Sequence, residues 1–169
     1  MHILLSVMNM KQKGKWKTYL FWILVTEAVG ALSGFLTREG TKIYAETIVK
    51  PALSPPAVVF PILWGILYAL MGIAVARTQL NGEHFLREKC LLIYIFQLGM
   101  NFCWSIFFFN LQVFGFAFLW LIVLWGLIIW LLLTFRKVDK TAGLLVLPYL
   151  IWVTFAAYLN AGVYLLNPR

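Results

Sequence analysis

Four residues in one apolar run carry groups from which a binding wall can be built. Gln97, Asn101, Trp104 and Phe108 fall at i, i+4, i+7 and i+11 within residues 91–109, a stretch without a charge. At about 100° per residue of α-helix they share one stripe roughly 60° wide. Two carboxamides in so apolar a segment are costly unless they find partners, so the stripe faces the inside of a helix bundle and not lipid. It offers hydrogen-bonding groups at one level and an indole and a phenyl ring further along. That mix suits the wall of a pocket for a flat, mostly apolar ligand. The same carboxamides serve equally well to glue helices together, and the sequence leaves the two roles open. A second stripe, Pro61, Trp64, Tyr68 and Gly72 at i, i+3, i+7 and i+11, sets an indole and a phenol on one face. A third sets Trp152, Ala156 and Asn160 four residues apart.

Other chemistry is sparse. Glu27 is the one charge inside an apolar run, and an intramembrane carboxylate is a functional candidate by default. No basic residue lies within another run to pair with it, which favours a merely tolerated group near an interface or an interior polar neighbour. Cys90 and Cys103 lie roughly 20 Å apart along one helix, too far for a disulfide within it, and read as plain buried thiols. Two Cys and two His far apart in sequence give no metal-site spacing. No nucleophile–base pair is present, so the residues offer neither hydrolytic nor metal chemistry.

The elements that must position these groups are membrane helices. Of the 169 residues, 63% are hydrophobic and 12% charged, about half the charged share of an ordinary soluble domain, and the mean hydropathy is +0.88. Five apolar runs, about residues 18–36, 58–76, 91–109, 113–135 and 144–166, are each long enough to cross a hydrocarbon core. None alternates with period two, so the fold class is all-α: a polytopic membrane protein, one domain of five transmembrane helices over residues 1–169. Gly30 and Gly34 make a small-xxx-small face that packs within the bundle. The basic residues Lys11, Lys13, Lys15 and Lys17 precede the first run. No small-residue cleavage site follows, so this reads as an uncleaved first helix. The longest connection, residues 37–57, is polar at first (Arg38, Glu39, Lys42) and ends in Lys50-Pro-Ala-Leu-Ser-Pro-Pro56. Its prolines make it a stiff lead-in to the second helix and a lid over the bundle mouth. Trp120, Trp125 and Trp130 spread around the fourth helix and read mostly as lipid-facing or interfacial indoles.

The net charge of +8 sits at helix ends, with no basic face interleaved with exposed aromatics, so nucleic acid is not a partner; membrane lipids are. Ten of the fourteen Lys and Arg residues fall on the N-terminus and the loops around residues 77–89 and 136–140, against Arg38, Lys42, Lys50 and Arg169 on the other side. The positive-inside rule then places the N-terminus in the cytoplasm of a bacterial cell and the C-terminus outside.

Three segments together resemble the tryptophan-rich sensory protein family, whose eukaryotic members are called translocator protein or peripheral-type benzodiazepine receptor. They are Lys50-Pro-Ala-Leu-Ser-Pro-Pro56 with Pro61, Trp64-Gly-Ile-Leu-Tyr68 and Met71-Gly72; Gln97 through Phe109 with Asn101 and Trp104; and Pro148-Tyr-Leu-Ile-Trp152-Val-Thr-Phe-Ala-Ala with Leu159-Asn160. The likeness runs in order from about Gly34 to Asn160. It implies a five-helix bundle, commonly a homodimer, that binds protoporphyrin IX or a related tetrapyrrole and needs no cofactor. In animals the family also takes sterols and synthetic drugs. By position the family pocket involves Trp64, Asn101, Trp104, Phe108, Trp152 and Ala156, together with Tyr44 and Leu53 in the first loop.

The chain departs from that pattern in three places. Leu53 stands where the family's Pro-x-Trp-x-Pro-Pro has its Trp, a residue tied to the light-driven porphyrin breakdown of some bacterial members. Trp120 replaces an acidic or amide residue, and Ala161 replaces the tyrosine of the sterol motif. The expected function is a membrane porphyrin-binding regulatory or sensory protein with a lidded pocket inside the bundle. The alternatives are a light- and oxygen-dependent porphyrin-degrading enzyme, and a porphyrin or sterol transporter. Leu53 argues against the first, and the lack of inverted repeats and broken helices argues against the second.

Overall fold

The computed structural model describes residues 2–168, with side chains from residue 14 onward. Its five helices are α1 (His2–Thr47), α2 (Val59–Asn81), α3 (His84–Ser105), α4 (Phe114–Val138) and α5 (Lys140–Leu166), and a π-helical turn, Ile106–Asn110, prolongs α3. All five are long and apolar enough to cross a membrane. Large apolar side chains such as Leu92, Phe96, Leu119, Val123 and Ile151 point outward, as lipid-facing positions require. The chain is an integral membrane protein with the all-α architecture that the five apolar runs predict. Of the residues used to orient it, the side chains of Lys11 and Lys13 and the whole of Arg169 lie outside the described part.

One boundary differs. The connection expected over residues 37–57 is helical as far as Thr47. Arg38, Glu39 and Lys42 mark where α1 leaves the hydrocarbon, not where it ends; nothing before Pro51 breaks it. The true loop is short and is fastened to the end of α5. Asn167 accepts from the Val49 N–H (3.0 Å) and donates to the Val49 carbonyl (2.9 Å), and the Tyr158 hydroxyl donates to the Ala52 carbonyl (2.9 Å). A Cβ on Gly162 would lie 2.6 Å from Pro51, so the loop rests directly on α5.

The core runs through Leu67, Met71, Val75, Tyr94, Leu121, Leu124, Ile128, Phe135, Val146 and Tyr149, contributed by α2 to α5. α1 is the peripheral helix, packing on α2, α3 and the π turn. Two glycines set how closely it approaches. A Cβ on Gly72 would sit 2.7 Å from Cα of Ile23, and one on Gly40 would sit 2.5 Å from the carbonyl oxygen of Phe109. The side chain of Asn110 also donates to the Leu36 carbonyl (3.1 Å). Between these two contacts α1 also touches the bundle at Gly30, where a Cβ would lie 2.2 Å from the Tyr68 ring, and it stands off beside Gly34. Nothing lies within 4 Å of a Cβ on Gly34.

At the opposite end, Asp139 caps α5 by accepting from the Ala142 N–H (3.0 Å) and also accepts from Arg77 (2.8 Å) and Asn81 (2.7 Å). Burial raises its carboxyl pKa, and the hydrogen bonds from Arg77, Ala142 and Asn81 outweigh that effect and hold it below the usual carboxylate range. A pKa depressed on folding contributes stability above the unfolded value, and that stability is lost as pH falls through the folded one. The thermal midpoint of the detergent-solubilised protein should therefore fall from about pH 4 downward. Asp139→Asn should remove part of that acid sensitivity while lowering stability at neutral pH by about 1–3 kcal/mol.

Candidate functional site

The gap between α1 and the bundle is a cavity of about 640 Å³. Its walls are rings. Trp64 on α2 lies against Tyr68, with centroids 5.3 Å apart, and edge-on to Tyr149 at 6.1 Å. Trp104 stacks on Phe108 at 5.2 Å with planes 24° apart, and Tyr44 lies 5.3 Å from Phe108. Trp152 meets Phe60 edge-on at 5.8 Å. The loop roofs the cavity with Lys50, Ser54, Pro55 and Ala57.

The stripe of α3 is divided between two jobs. Trp104 and Phe108 line the cavity. Gln97 and Asn101 are fully buried and do not. Asn101 accepts from the Tyr68 hydroxyl (2.8 Å) and donates to the Tyr149 hydroxyl (2.9 Å), which itself donates to Gln97 (3.1 Å). The relay ties α2, α3 and α5 together, so the two carboxamides act as glue. Of the two roles the sequence leaves open for them, the structure shows this one, with neither side chain on the cavity wall. Tyr68, whose hydroxyl donates to Asn101, does line the cavity. The π turn accommodates the change of role. Its extra residue per turn, closed by Leu111 N–H to Ile106 carbonyl (3.0 Å), packs Phe108 and Phe109 beneath α1.

Of the other expected residues, Tyr44, Trp64, Trp152 and Ala156 line the cavity, as does Asn160. Asn160 accepts from the Trp104 indole N–H (3.2 Å) and donates to the Phe114 carbonyl (2.9 Å), fixing the indole's tilt. Leu53 is the exception. Its φ of 67° is in the left-handed region, and its side chain is 79% exposed and absent from the cavity wall. The segment borders the cavity, but Leu53 turns away from it, because the turn closed by Ser54 N–H to Pro51 carbonyl (3.3 Å) reverses the chain there. A leucine in that conformation costs about 1–2 kcal/mol.

Two groups in the cavity matter beyond packing. The Trp152 side chain is 9% exposed and its Nε1–H has no hydrogen-bond partner among the described residues. An orphaned buried donor on a cavity wall is a group waiting for an acceptor. Glu27, read from sequence as a tolerated charge, lines the same cavity at its inner end. Its position one face round from Thr26, which bonds Tyr94, was not legible without knowing which side of α1 meets the bundle. Trp120 turns inward, its indole donating to the Met100 carbonyl (2.8 Å), whereas Trp125 stays on the outer face, donating to the exposed Thr154 hydroxyl (2.8 Å), and Trp130 keeps a half-exposed ring. Cys90 and Cys103 are free thiols as expected, and no group of three metal-ligating side chains occurs among the described residues.

Fold and cavity define a class: an integral membrane bundle of five helices that encloses an aromatic-walled chamber under a short proline-rich loop. Comparison with known proteins agrees. The family described as TspO/MBR matches residues 22–166, and the chain belongs to it. It is 37% identical over 142 residues to the tryptophan-rich protein TspO of Chlorobaculum tepidum, covering 83% of this chain and 90% of that one. It is 35% identical over 145 residues to the protein of the same name from Archaeoglobus fulgidus (86% and 94% covered). It is 33% identical over 150 residues to the translocator protein of Ovis aries (86% and 87%).

Proposed function

We propose that the chamber binds a flat tetrapyrrole such as protoporphyrin IX and that the protein is a binding and regulatory member of its family. The observation that carries this reading is a cavity of about 640 Å³ walled by Trp64, Trp104, Trp152, Tyr44 and Phe108. The volume falls in the usual range for small-molecule pockets, and indole and phenyl faces suit a π-macrocycle. The unpaired Trp152 N–H supplies one acceptor-seeking contact, and Lys50 and Arg38 at the mouth suit acidic side chains on the ligand. Binding without light-driven breakdown is the favoured outcome, since Leu53 has no π-system and points out of the chamber. The test is a quench titration of the protein in nanodiscs with protoporphyrin IX, followed by absorbance of the bound pigment under illumination with a dark control. Saturable quenching with a stable spectrum supports the reading. Rapid pigment loss in the light with a distinct product moves the protein into the enzyme class.

The cavity-bearing end belongs outside the cell on the basic-residue count, with the N-terminus cytoplasmic. A single cysteine at the C-terminus of a variant lacking Cys90 and Cys103 should react with an impermeant maleimide on intact cells; labelling only after lysis would reverse the orientation. A homodimer is the proposed assembly. The outer face of α3 supports it, because Leu92 and Phe96 are exposed there and a Cβ on Gly99 meets nothing within 4 Å.

A further inference from the structure

Stacking a macrocycle leaves one ionisable group of the chamber unused. Glu27 lines the inner end, one helical turn below Gly30, where an added Cβ would strike the Tyr68 ring at 2.2 Å. Among the described residues no hydrogen bond or ion pair satisfies its carboxyl group. The mouth has the opposite character. Arg38 and Lys50 line it. The Arg38 guanidinium is occupied by Glu39 (3.4 Å) and by the Phe35 ring 4.6 Å away. Lys50 donates one hydrogen bond, to the Ala45 carbonyl (2.7 Å), and an ammonium has two more donors to give. Glu27 and Arg38 are separated by roughly 16 Å along α1, at about 1.5 Å per residue. The chamber is therefore bipolar across about the width of a tetrapyrrole: cationic at the mouth, carboxyl at the inner end.

Closed and open tetrapyrroles differ at the edge that would meet Glu27. With its propionates at the mouth, protoporphyrin IX turns its pyrrole N–H groups toward its own centre and presents only vinyl and methyl groups to the inner end. A carboxyl group pressed against that edge loses water and gains no partner. An open-chain tetrapyrrole carries its propionates on the two inner rings and a lactam on each terminal ring. Coiled to the same size, it gathers lactam N–H and C=O groups at the edge opposite the acids. A lactam donates to a carboxylate and accepts from a carboxylic acid, so it complements Glu27 in either protonation state. We infer that Glu27 is the specificity-determining residue of the chamber and selects open-chain over closed tetrapyrroles of equal size. This rests on the reading that the chamber takes a tetrapyrrole at all.

The experiment is a pair of quench titrations, with biliverdin and with protoporphyrin IX, on the parent, Glu27→Leu and Glu27→Gln in nanodiscs of neutral lipid. The parent should bind biliverdin about tenfold or more tighter, the size expected of one charge-assisted hydrogen bond. Glu27→Leu should weaken biliverdin by a similar factor and tighten protoporphyrin IX severalfold, inverting the preference. Glu27→Gln keeps an amide that can pair with a lactam and should fall between them. An affinity ratio that is the same in the parent and Glu27→Leu overturns the assignment and leaves the tetrapyrrole reading standing. Absence of saturable quenching by either pigment in the parent overturns that reading and this one with it. Protoporphyrin binding by Glu27→Leu reports its folding in the same cuvette. If that variant binds neither pigment, Glu27→Gln decides, and a ratio unchanged from the parent overturns the assignment.

Discussion

Gly72→Val will push α1 away from α2 and cost both stability and binding. The new Cβ would stand 2.7 Å from Ile23 Cα and 2.9 Å from the Trp22 carbonyl oxygen. Those atoms are backbone, so no side chain can rotate aside and the whole of α1 must move. Overpacking of a well-fitted contact costs about 1–3 kcal/mol. Displacement of α1 also widens the chamber, whose outer wall is the face of α1 carrying Ala31, Gly34, Thr37 and Thr41. The thermal midpoint in detergent should fall by several degrees, and protoporphyrin IX affinity should drop about tenfold or more. Gly34→Ala is the control. Its methyl group meets nothing within 4 Å, so stability should change by no more than about 0.5 kcal/mol. Equal effects at the two glycines would show that α1 is not held at the Gly72 crossing.

Trp104→Ala should be the most damaging change to the chamber wall. The indole is buried, stacks on Phe108 and donates to Asn160. Removing it leaves a void and an unpaired carboxamide oxygen, for which large-to-small substitutions give about 3–5 kcal/mol. The ligand loses one stacking face, on the order of 1 kcal/mol beyond the area lost. Trp104→Phe separates the two contributions: it keeps a ring against Phe108 and drops the hydrogen bond. We expect protoporphyrin IX affinity to fall at least tenfold in Trp104→Ala and only severalfold in Trp104→Phe, read by quenching of the remaining tryptophans. If both bind like the parent, the aromatic wall serves packing and the ligand sits elsewhere.

The five spans, their helical character and the inward bias of three stripes are legible without coordinates, and the reason is the solvent. Hydrocarbon cannot satisfy a backbone amide, so each apolar run must be a helix. It cannot solvate a carboxamide, so Gln97, Asn101 and Asn160 must face protein. Periodicity then fixes which residues share a face with them. What periodicity cannot give is the identity of the group opposite. Gln97 and Trp104 lie on one stripe, yet only Trp104 reaches the chamber, because Tyr68 and Tyr149 arrive from α2 and α5 to occupy the carboxamides.

The same limit explains where side chains whose direction the sequence left open come to lie. Trp120 turns inward because the Met100 carbonyl offers an acceptor that lipid lacks. Leu53 leaves the lid because a single positive φ redirects its Cα–Cβ bond. Glu27 reaches a cavity because α1, close to the bundle at the Gly72, Gly30 and Gly40 contacts, leaves open space beside Gly34. Which segments cross the membrane, and which of their faces turn inward, follow from local composition in an apolar solvent and can be read from the residues in order. Which inward groups bond one another, and which are left facing open space, depends on where distant helices touch and emerges once the helices are packed.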